Sequence, residues 1–194
     1  MKTLLLDSSN IDLCVGIAID NELKYSCSYP CWQRQSEMMI PELEKGLKEL
    51  NLSLKDFDEV VCGIGPGSYT GVRIALTIAK TICTLLPIKL IAISSLRMMG
   101  DKNSRYISLI NARSSRSYIG AYDKENIVLQ DIVMTNVEVK ENIKNHPDFE
   151  IIGDCSYIEI SAKKPDILNG LLSLKDISKP VDDILSVKPI YLKD

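Results

Sequence analysis

A glycine-rich loop at residues 65–74, with the sequence GPGSYTGVRI, constrains the fold more than any other part of this chain. An apolar run at residues 60–64 comes directly before it and predicts a buried strand, whereas residues 75–86 after it predict a helix. The order is therefore strand, glycine loop and helix N-terminus. Such a loop can bring backbone N–H groups close to an anion, or it can serve as a tight turn that packs a helix on its sheet. The residues of the loop leave both interpretations open.

Five residues of this loop are candidates for binding a nucleotide or another phosphate ligand. Ser68 and Thr70 can also cap the helix or donate their hydroxyls. No lysine stands where a Walker loop needs one, which disfavours the chemistry of P-loop NTPases. The spacing GxGxxxG is loosely related to a dinucleotide fingerprint, but no acidic residue ends the next predicted strand, at residues 88–93, to hold a ribose. The candidates are Gly65, Gly67, Ser68, Thr70 and Gly71.

Composition and charge narrow the functional classes. The 194 residues are 45% hydrophobic and 25% charged, as is ordinary for a globular protein. No apolar run approaches about 20 residues and the apolar start is too short for a signal peptide, so we expect a cytoplasmic protein without a membrane partner. The net charge of −3 disfavours a chain that binds tRNA by itself, because phosphate contacts supply most of such affinity.

The residues that usually carry metal or nucleophilic chemistry are sparse. The six cysteines are scattered without a Cys-x2-Cys pair, and His146 is the only histidine. Reduced thiols are therefore expected rather than a zinc site. A nucleophile would lack a base, because His146 lies in a turn-like His-Pro-Asp sequence. We predict no catalytic residue, no metal site and no resident cofactor.

Hydrophobic periodicity predicts an α/β chain in two lobes. Residues 1–98 give the order βββαβαβ, which matches an actin/Hsp70/sugar-kinase-like (ASKHA) lobe and differs from a Rossmann unit. Residues 99–194 predict a reduced C-terminal lobe that opens with a second β-meander. The predicted strands are 2–7, 13–20, 22–29, 60–64, 88–93, 107–110, 117–122, 127–133 and 149–152, and the predicted helices are 36–50, 75–86, 136–145 and 165–174.

The helix after the glycine loop is apolar around nearly its whole circumference. A helix that lies on a sheet needs only one apolar stripe, so the excess must be buried against a partner or in a second layer of its own lobe. We favour a partner, because such patches usually mark protein interfaces. On this hypothesis, Ile82→Glu leaves the lobe folded and breaks a dimer. The predicted interface residues are Met38, Met39, Leu43, Arg73, Ile74, Ile78 and Ile82.

Read as a string, the glycine loop closely resembles the signature of the TsaB (YeaZ) family. Residues 4–9, LLLDSS, resemble the opening strand of that family, and residues 35–41, QSEMMIP, resemble its helix start His-Ser-Glu-x-Leu-Leu-Pro. Three residues depart from the family pattern: Gln35 stands for a usual His, Asn111 for Asp and Arg116 for Glu. Three further segments, residues 92–96, 111–118 and 189–192, resemble family patterns. The patterns of the family are, in the same order, Val-Ser-Ser-Leu, Asp-Ala-Arg…Tyr and Pro-x-Tyr-Leu.

The resemblance implies a non-catalytic subunit that organises a tRNA-modifying transferase. The implied partner is TsaD, bound as a heterodimer, which transfers a threonylcarbamoyl group to adenosine 37 of tRNAs that read codons beginning with A. The TsaE ATPase belongs to the larger complex, the isolated chain is a homodimer, and tRNA is contacted only indirectly. The family has no resident cofactor, and any nucleotide contact of the glycine loop belongs to the assembled complex.

One rival from another functional class remains open, a small actin-like ATPase or kinase that uses Asp7 and the glycine loop on ATP. Asp7 ends the first predicted strand, where actin-like enzymes place an acidic residue. The following turn, Asn10-Ile11-Asp12, contains no glycine, which disfavours a phosphate cradle there. Hydrogen bonding of Asp7 and Ser8 within the turn is the favoured interpretation.

Overall fold

The computed structural model describes residues 1–192 and contains two sheets. The first sheet has the strand order β3-β2-β1-β4-β5. Strand β1 is antiparallel to β2 and parallel to β4, and β4 is parallel to β5. Its elements are β1 (Lys2–Asp7), β2 (Asp12–Ile19), β3 (Glu22–Pro30), α1 (Gln35–Glu49), β4 (Glu59–Gly63), α2 (Tyr69–Leu85) and β5 (Lys89–Ile93). The predicted order βββαβαβ is confirmed.

Continuous apolar runs explain why the first sheet is covered on both faces. All of β4 and nearly all of β1 and β2 are buried, as expected for strands between two layers. Helices α1 and α2 share one core cluster with one face of the sheet, and α4 (Ile167–Leu174) shares another with the opposite face. The sheet is therefore a central layer between helices.

The second sheet has the strand order β8-β7-β6-β9, with β6 and β9 parallel. Helix α3 packs on one face, and a Thr135–Glu138 capping box fixes its start. The other face carries Tyr106 and Tyr122, which pack with Leu96 from the segment after β5. The elements are β6 (Arg105–Arg113), β7 (Arg116–Asp123), β8 (Asn126–Thr135), α3 (Asn136–Asn145) and β9 (Glu150–Gly153).

Two helix starts differ from their predicted positions. Helix α2 begins at Tyr69 rather than Ala75, because the Ser68 hydroxyl accepts a hydrogen bond from Gly71 N at 3.2 Å and caps the helix. Six of the ten residues of the predicted loop, 69–74, are therefore helical. Helix α4 begins at Ile167, after Asp166 accepts from Asn169 N, rather than at the preceding proline.

The last part of the described chain returns to the first sheet. Helix α4 contacts β1, β2 and β4, and the backbone then runs past β5, where Val181 N donates to Leu90 O at 2.8 Å. Ile190 N donates to Ile64 O at 2.7 Å. We call residues 178–192 the C-terminal strap. The division into lobes 1–98 and 99–194 stays a prediction, and these contacts place the strap against the first sheet.

A buried ion pair lies just before the strap, at the end of the first sheet where β4 begins. Lys175 Nζ lies 3.0 Å from Glu59 Oε1, and both side chains are almost fully buried. Glu59 also accepts from the Thr3 hydroxyl at 2.7 Å.

No helix within residues 1–192 is long and apolar enough to cross a membrane.

We predict that Lys175→Ala lowers the free energy of unfolding by about 3–5 kcal/mol, because it leaves the Glu59 carboxylate buried without its cation. The measurement is urea denaturation followed by circular dichroism. The matched control is Lys163→Ala, because Lys163 pairs with Glu150 at the surface and its loss should cost less than about 1 kcal/mol. Equal effects of the two variants would contradict a structural role for the buried pair.

Candidate functional site

The glycine loop packs tightly on the turn that follows β1. A Cβ at Gly67 would overlap the Ser9 carbonyl oxygen, and a Cβ at Gly71 would overlap that of Ser8. Ser68 N donates to Ser9 O at 2.7 Å. The Ser8 hydroxyl donates to Gly71 O at 2.7 Å and accepts from Ala75 N at 3.2 Å. The glycines are therefore required for close packing inside the protein.

Gly65 serves a different contact. It has a φ of +96°, and a Cβ there would meet the Ile190 carbonyl oxygen of the C-terminal strap at 2.7 Å. Its own N–H donates to the Ser95 hydroxyl at 2.9 Å. Gly65 thus joins the ends of β4 and β5 to the strap.

A cleft of about 500 Å³ lies beside this loop and between the two sheets. From the first sheet it is lined by the turn after β1, by Trp32 and by the start of α2. From the second sheet it is lined by the end of β6, by Tyr118 and by Asp154. Of the five predicted ligand residues, Gly67, Ser68 and Thr70 line the cleft, whereas Gly65 and Gly71 are buried in the contacts described above.

The cleft carries groups suited to an anion with an aromatic part. The first turn of α2 provides N–H groups without intrahelical partners, and a helix N-terminus favours negative charge. Arg113, held at a φ of +65° in the turn between β6 and β7, lines the opposite wall. Trp32 is 49% exposed and presents an indole to the same cleft. A nucleotide is the ligand class that combines these features.

Asp7 lies below the loop and does not line this cleft. Its Oδ2 accepts from the Ser9 N–H and hydroxyl, both at 3.1 Å, while its Oδ1 has no hydrogen-bond partner within the described residues. Oδ1 lies against Gly63. Burial raises the pKa of Asp7 to about 7, and the bonds from Ser9 oppose the shift only partly. The preference for hydrogen bonding within the turn is confirmed for Asp7, whereas the Ser8 hydroxyl bonds to α2 instead.

The thiols and the histidine are occupied by structural contacts. Burial raises the pKa of the Cys83 and Cys155 thiols to about 11, and that of Cys14 and Cys62 still further. His146 Nδ1 hydrogen-bonds Asn142 O at 2.8 Å at the end of α3. Among residues 1–192, no group of three or more His, Cys, Asp or Glu side chains is placed to hold a metal ion.

Comparisons with known proteins place the chain in a family. The family model described as "TsaD: tRNA N6-adenosine threonylcarbamoyltransferase" matches residues 31–147, more than half of the chain. The chain is 32% identical to the tRNA threonylcarbamoyladenosine biosynthesis protein TsaB of Bacillus subtilis, over 69% of this chain and 60% of that one. The chain belongs to the TsaB (YeaZ) family.

Two further comparisons agree with this assignment. The uncharacterized protein MG208 of Mycoplasma genitalium is 30% identical over 84% of this chain and 79% of its own length. The structure of YeaZ from Pseudomonas aeruginosa superposes with a TM-score of 0.82 at 21% identity, covering 98% of this chain and 99% of that one. That match confirms the fold, which is α/β with two mixed sheets and the predicted βββαβαβ order in the first half.

Three of the interface residues predicted for this TsaB-family chain are buried inside its own core. Met39 is fully buried, Leu43 is 3% exposed and Ile82 is 6% exposed. Met39 and Leu43 lie on the side of α1 that packs on the sheet, and Ile82 belongs to the buried stripe of α2 in the same core cluster. Val181, Ile184 and Val187 of the C-terminal strap also pack against this cluster, and Lys80 Nζ donates to two strap carbonyls at 2.9 Å. Because Ile82 is buried, we expect Ile82→Glu to destabilise the chain rather than to leave it folded.

The remaining interface candidates lie nearer the surface. Arg73 is exposed, and Met38, Ile74 and Ile78 are half-buried. Arg73 belongs to an aromatic cluster that sequence reasoning misses. Its guanidinium carbon lies 4.0 Å from the centre of the Tyr69 ring, and its Nε donates to the Tyr191 hydroxyl at 2.7 Å. The spacing of four residues on a helix signals the Tyr69 contact, but nothing signals Tyr191, which is 118 residues away from Arg73 in the chain.

A second cluster that the sequence does not signal joins the two sheets. The Asp131 carboxylate on β8 accepts hydrogen bonds from the hydroxyls of Ser94 and Tyr122. Burial raises the pKa of Asp131, although both hydrogen bonds oppose the shift. The Arg97 guanidinium lies 4.5 Å from the centre of the Tyr122 ring. This cluster ties the end of β5 to the second sheet.

We predict that Gly71→Ala destabilises the protein by about 2 kcal/mol or more, because the new methyl group overlaps the Ser8 carbonyl. The sign of the change is diagnostic, since alanine inside an ordinary helix would stabilise it by about 1 kcal/mol over glycine. Thermal and urea unfolding of both the variant and the control Thr70→Ala provide the measurement. Stabilisation by Gly71→Ala would refute the close packing of the loop.

We also predict that the difference in stability between the wild type and Asp7→Asn depends on pH. The folded-state pKa of about 7 lies above the ordinary value of 3.8, so the contribution of protonated Asp7 is complete below about pH 4 and is lost as the pH rises through about 7. Relative to Asp7→Asn, the wild type should lose about 1.4 kcal/mol per pH unit between about pH 5 and pH 7. Urea unfolding at several pH values measures this, and a constant difference would disprove the burial of an uncharged Asp7.

Proposed function

We propose that this chain is the scaffold and activating subunit of a tRNA threonylcarbamoyladenosine biosynthesis complex. Support comes from its family, since the Bacillus relative is named for that pathway and the matching family model describes the transferase. The matched region spans 60% of that relative. In this proposal the chain pairs with a TsaD-type transferase, which modifies adenosine 37 of tRNAs reading codons that begin with A. A TsaE-type ATPase joins the larger complex, and the assembly works in the cytoplasm.

The observation that carries the pairing is the exposed aromatic cluster at the start of α2. Tyr69 is 61% exposed and Tyr191 is 43% exposed, and they stack with ring centres 5.2 Å apart beside Arg73. Tyrosine and arginine are the residues that most often dominate binding energy at protein interfaces. Half-buried Ile74 and Ile78 lie on the adjoining side of the same helix, about 100° or more around its axis from Arg73. We propose that this surface binds the transferase and, in the isolated chain, a second copy.

The non-catalytic role is supported by what the reactive groups contact. The buried thiols hold their protons, His146 is hydrogen-bonded to its own helix, and Asp7 is uncharged below about pH 7. Each of these groups is held by contacts within the chain itself. In this proposal the transfer chemistry belongs to the partner, and this subunit contacts tRNA only through the complex.

The alternative is an actin-like ATPase or kinase, and the cleft beside α2 is the observation that favours it. Its Arg113, Trp32 and helix N-terminus suit a nucleotide. The position of Asp7 speaks against turnover, because this carboxylate is buried outside the cleft and uncharged below about pH 7. We propose that Gly67, Ser68 and Thr70 contact a nucleotide only in the assembled complex. Measuring nucleotide hydrolysis by the purified chain separates the two functions.

We predict that Arg73→Glu weakens binding of the chain to the TsaD of the same organism by about 2 kcal/mol, or roughly 30-fold in Kd, because it removes the centre of the aromatic cluster. Homodimerisation should weaken as well. Titration calorimetry and light scattering measure the two associations, and circular dichroism checks the fold. Lys140→Glu, an exposed change on α3, is the control. Unchanged TsaD binding by folded Arg73→Glu would refute this face as the docking surface.

A further inference from the structure

A second cavity, of about 370 Å³, lies beside the turn that follows β1. It is on the opposite side of this turn from the cleft beside the glycine loop. It shares Asn10, Ile11 and Asp154 with that cleft but contains none of the glycine loop. Side chains from both halves of the chain form a mainly apolar wall. These are Ile11, Pro30, Ala162, Pro165 and Ile167. Asp7 also lines this cavity, which we call the Asp7 pocket.

Asp7 is the polar group in this pocket whose bonding is incomplete. The residue is 2% exposed, and its Oδ1 has no hydrogen-bond partner within residues 1–192. A buried carboxylate oxygen without a donor costs free energy whether it is ionised or protonated. Few buried polar groups in a protein lack a hydrogen-bond partner, and each one calls for an explanation.

The other charged groups that line the pocket have partners. Asp12 lies 4.0 Å from Lys164 Nζ, and Asp154 accepts from the Ser156 N–H and hydroxyl at 3.2 and 2.7 Å. The pocket therefore contains three carboxylates against one ammonium. A ligand that completes it must donate hydrogen bonds, gains from carrying positive charge, and must present an apolar body to the wall.

We propose that the Asp7 pocket binds a primary alkylammonium ligand, with its charged head on Asp7 and its short carbon chain against Pro30, Ala162 and Ile167. An ammonium group supplies three donors and a full charge from one small head. A metal ion fits less well, because it needs several oxygen ligands at once and no group of three or more His, Cys, Asp or Glu side chains among residues 1–192 is placed to hold one. The volume suits a small molecule at the lower end of the usual range.

The charge state of Asp7 makes the binding depend on pH. The titratable groups that face Asp7 are Asp12 and Cys14 on β2 and Cys62 on β4, and both thiols stay protonated because burial raises their pKa. Lys164 and Asp154 face the pocket from the other half of the chain. An ammonium ion binds the ionised carboxylate, so affinity should fall about tenfold for each pH unit below the Asp7 pKa of about 7.

The test follows the ¹³C carboxyl signal of Asp7 by NMR in the full chain, with n-butylammonium as the probe and n-butanol as its uncharged analogue. We expect n-butylammonium to lower the titration midpoint of Asp7 by about one pH unit or more when it is present at about ten times its Kd. n-Butanol should leave the midpoint unchanged. Equal effects of the two compounds, or no effect of either, would overturn the proposal.

Two variants separate the site from general electrostatics. Asp7→Asn should lose n-butylammonium binding at least about 30-fold, whereas Asp148→Asn, which removes an exposed carboxylate that does not line the pocket, should change it less than about threefold. Ala162→Phe fills the pocket without changing Asp7 itself and should also abolish binding, which keeps the test decisive if Asp7→Asn does not fold. Binding that survives Ala162→Phe would place the ammonium elsewhere and overturn the proposal.

Discussion

The close contact between the glycine loop and the backbone of Ser8 and Ser9 fixes the rest of the first lobe. It joins the end of the central strand to the start of the longest helix of the described chain, through carbonyl oxygens that leave no room for a Cβ at Gly67 or Gly71. Because the helix begins there, its N-terminal turn faces the cleft rather than the core. Because the strand ends there, Asp7 lies beneath the loop and lines the Asp7 pocket rather than the cleft. One backbone contact therefore sets both cavities.

Most of the first sheet could be predicted from the sequence because its signals are local. The apolar run at residues 60–64 and the hairpin at Asp20 and Asn21 each depend on a few adjacent residues. The start of α2 could not be placed, since Tyr69 to Ile74 read as loop until Ser68 is seen to cap them. In the sequence, a glycine at position 71 suggests a flexible loop. In the structure, Gly71 is a helical residue packed against the Ser8 carbonyl oxygen.

The sequence cannot show which residues of α2 are free for an interface, because it does not show what covers a second apolar face. The excess apolar surface of α2 is recognisable in the sequence, yet Ile82 is buried, and Val181, Ile184 and Val187 from the distant C-terminal strap pack against the same core cluster. A helix that is apolar on most of its sides must be buried on more than one side, but its sequence does not identify the residues that bury it. Arg73 remains at the surface because its charge needs water or an aromatic ring, and Tyr69 and Tyr191 provide the rings.

The two cavities have opposite electrostatic preferences although they share Asn10, Ile11 and Asp154. The helix N-terminus and Arg113 favour an anion in the cleft, whereas Asp7 favours a cation in its pocket. An anion bound nearby raises the pKa of a carboxyl group and a cation lowers it. Occupation of the cleft by a phosphate would therefore favour the protonated Asp7 and, by the same attraction, a cation in the Asp7 pocket. Since coupling between two binding sites is reciprocal, a cation in that pocket would in turn strengthen phosphate binding. The gain should appear above the Asp7 pKa, where the cation adds a positive charge instead of replacing a proton.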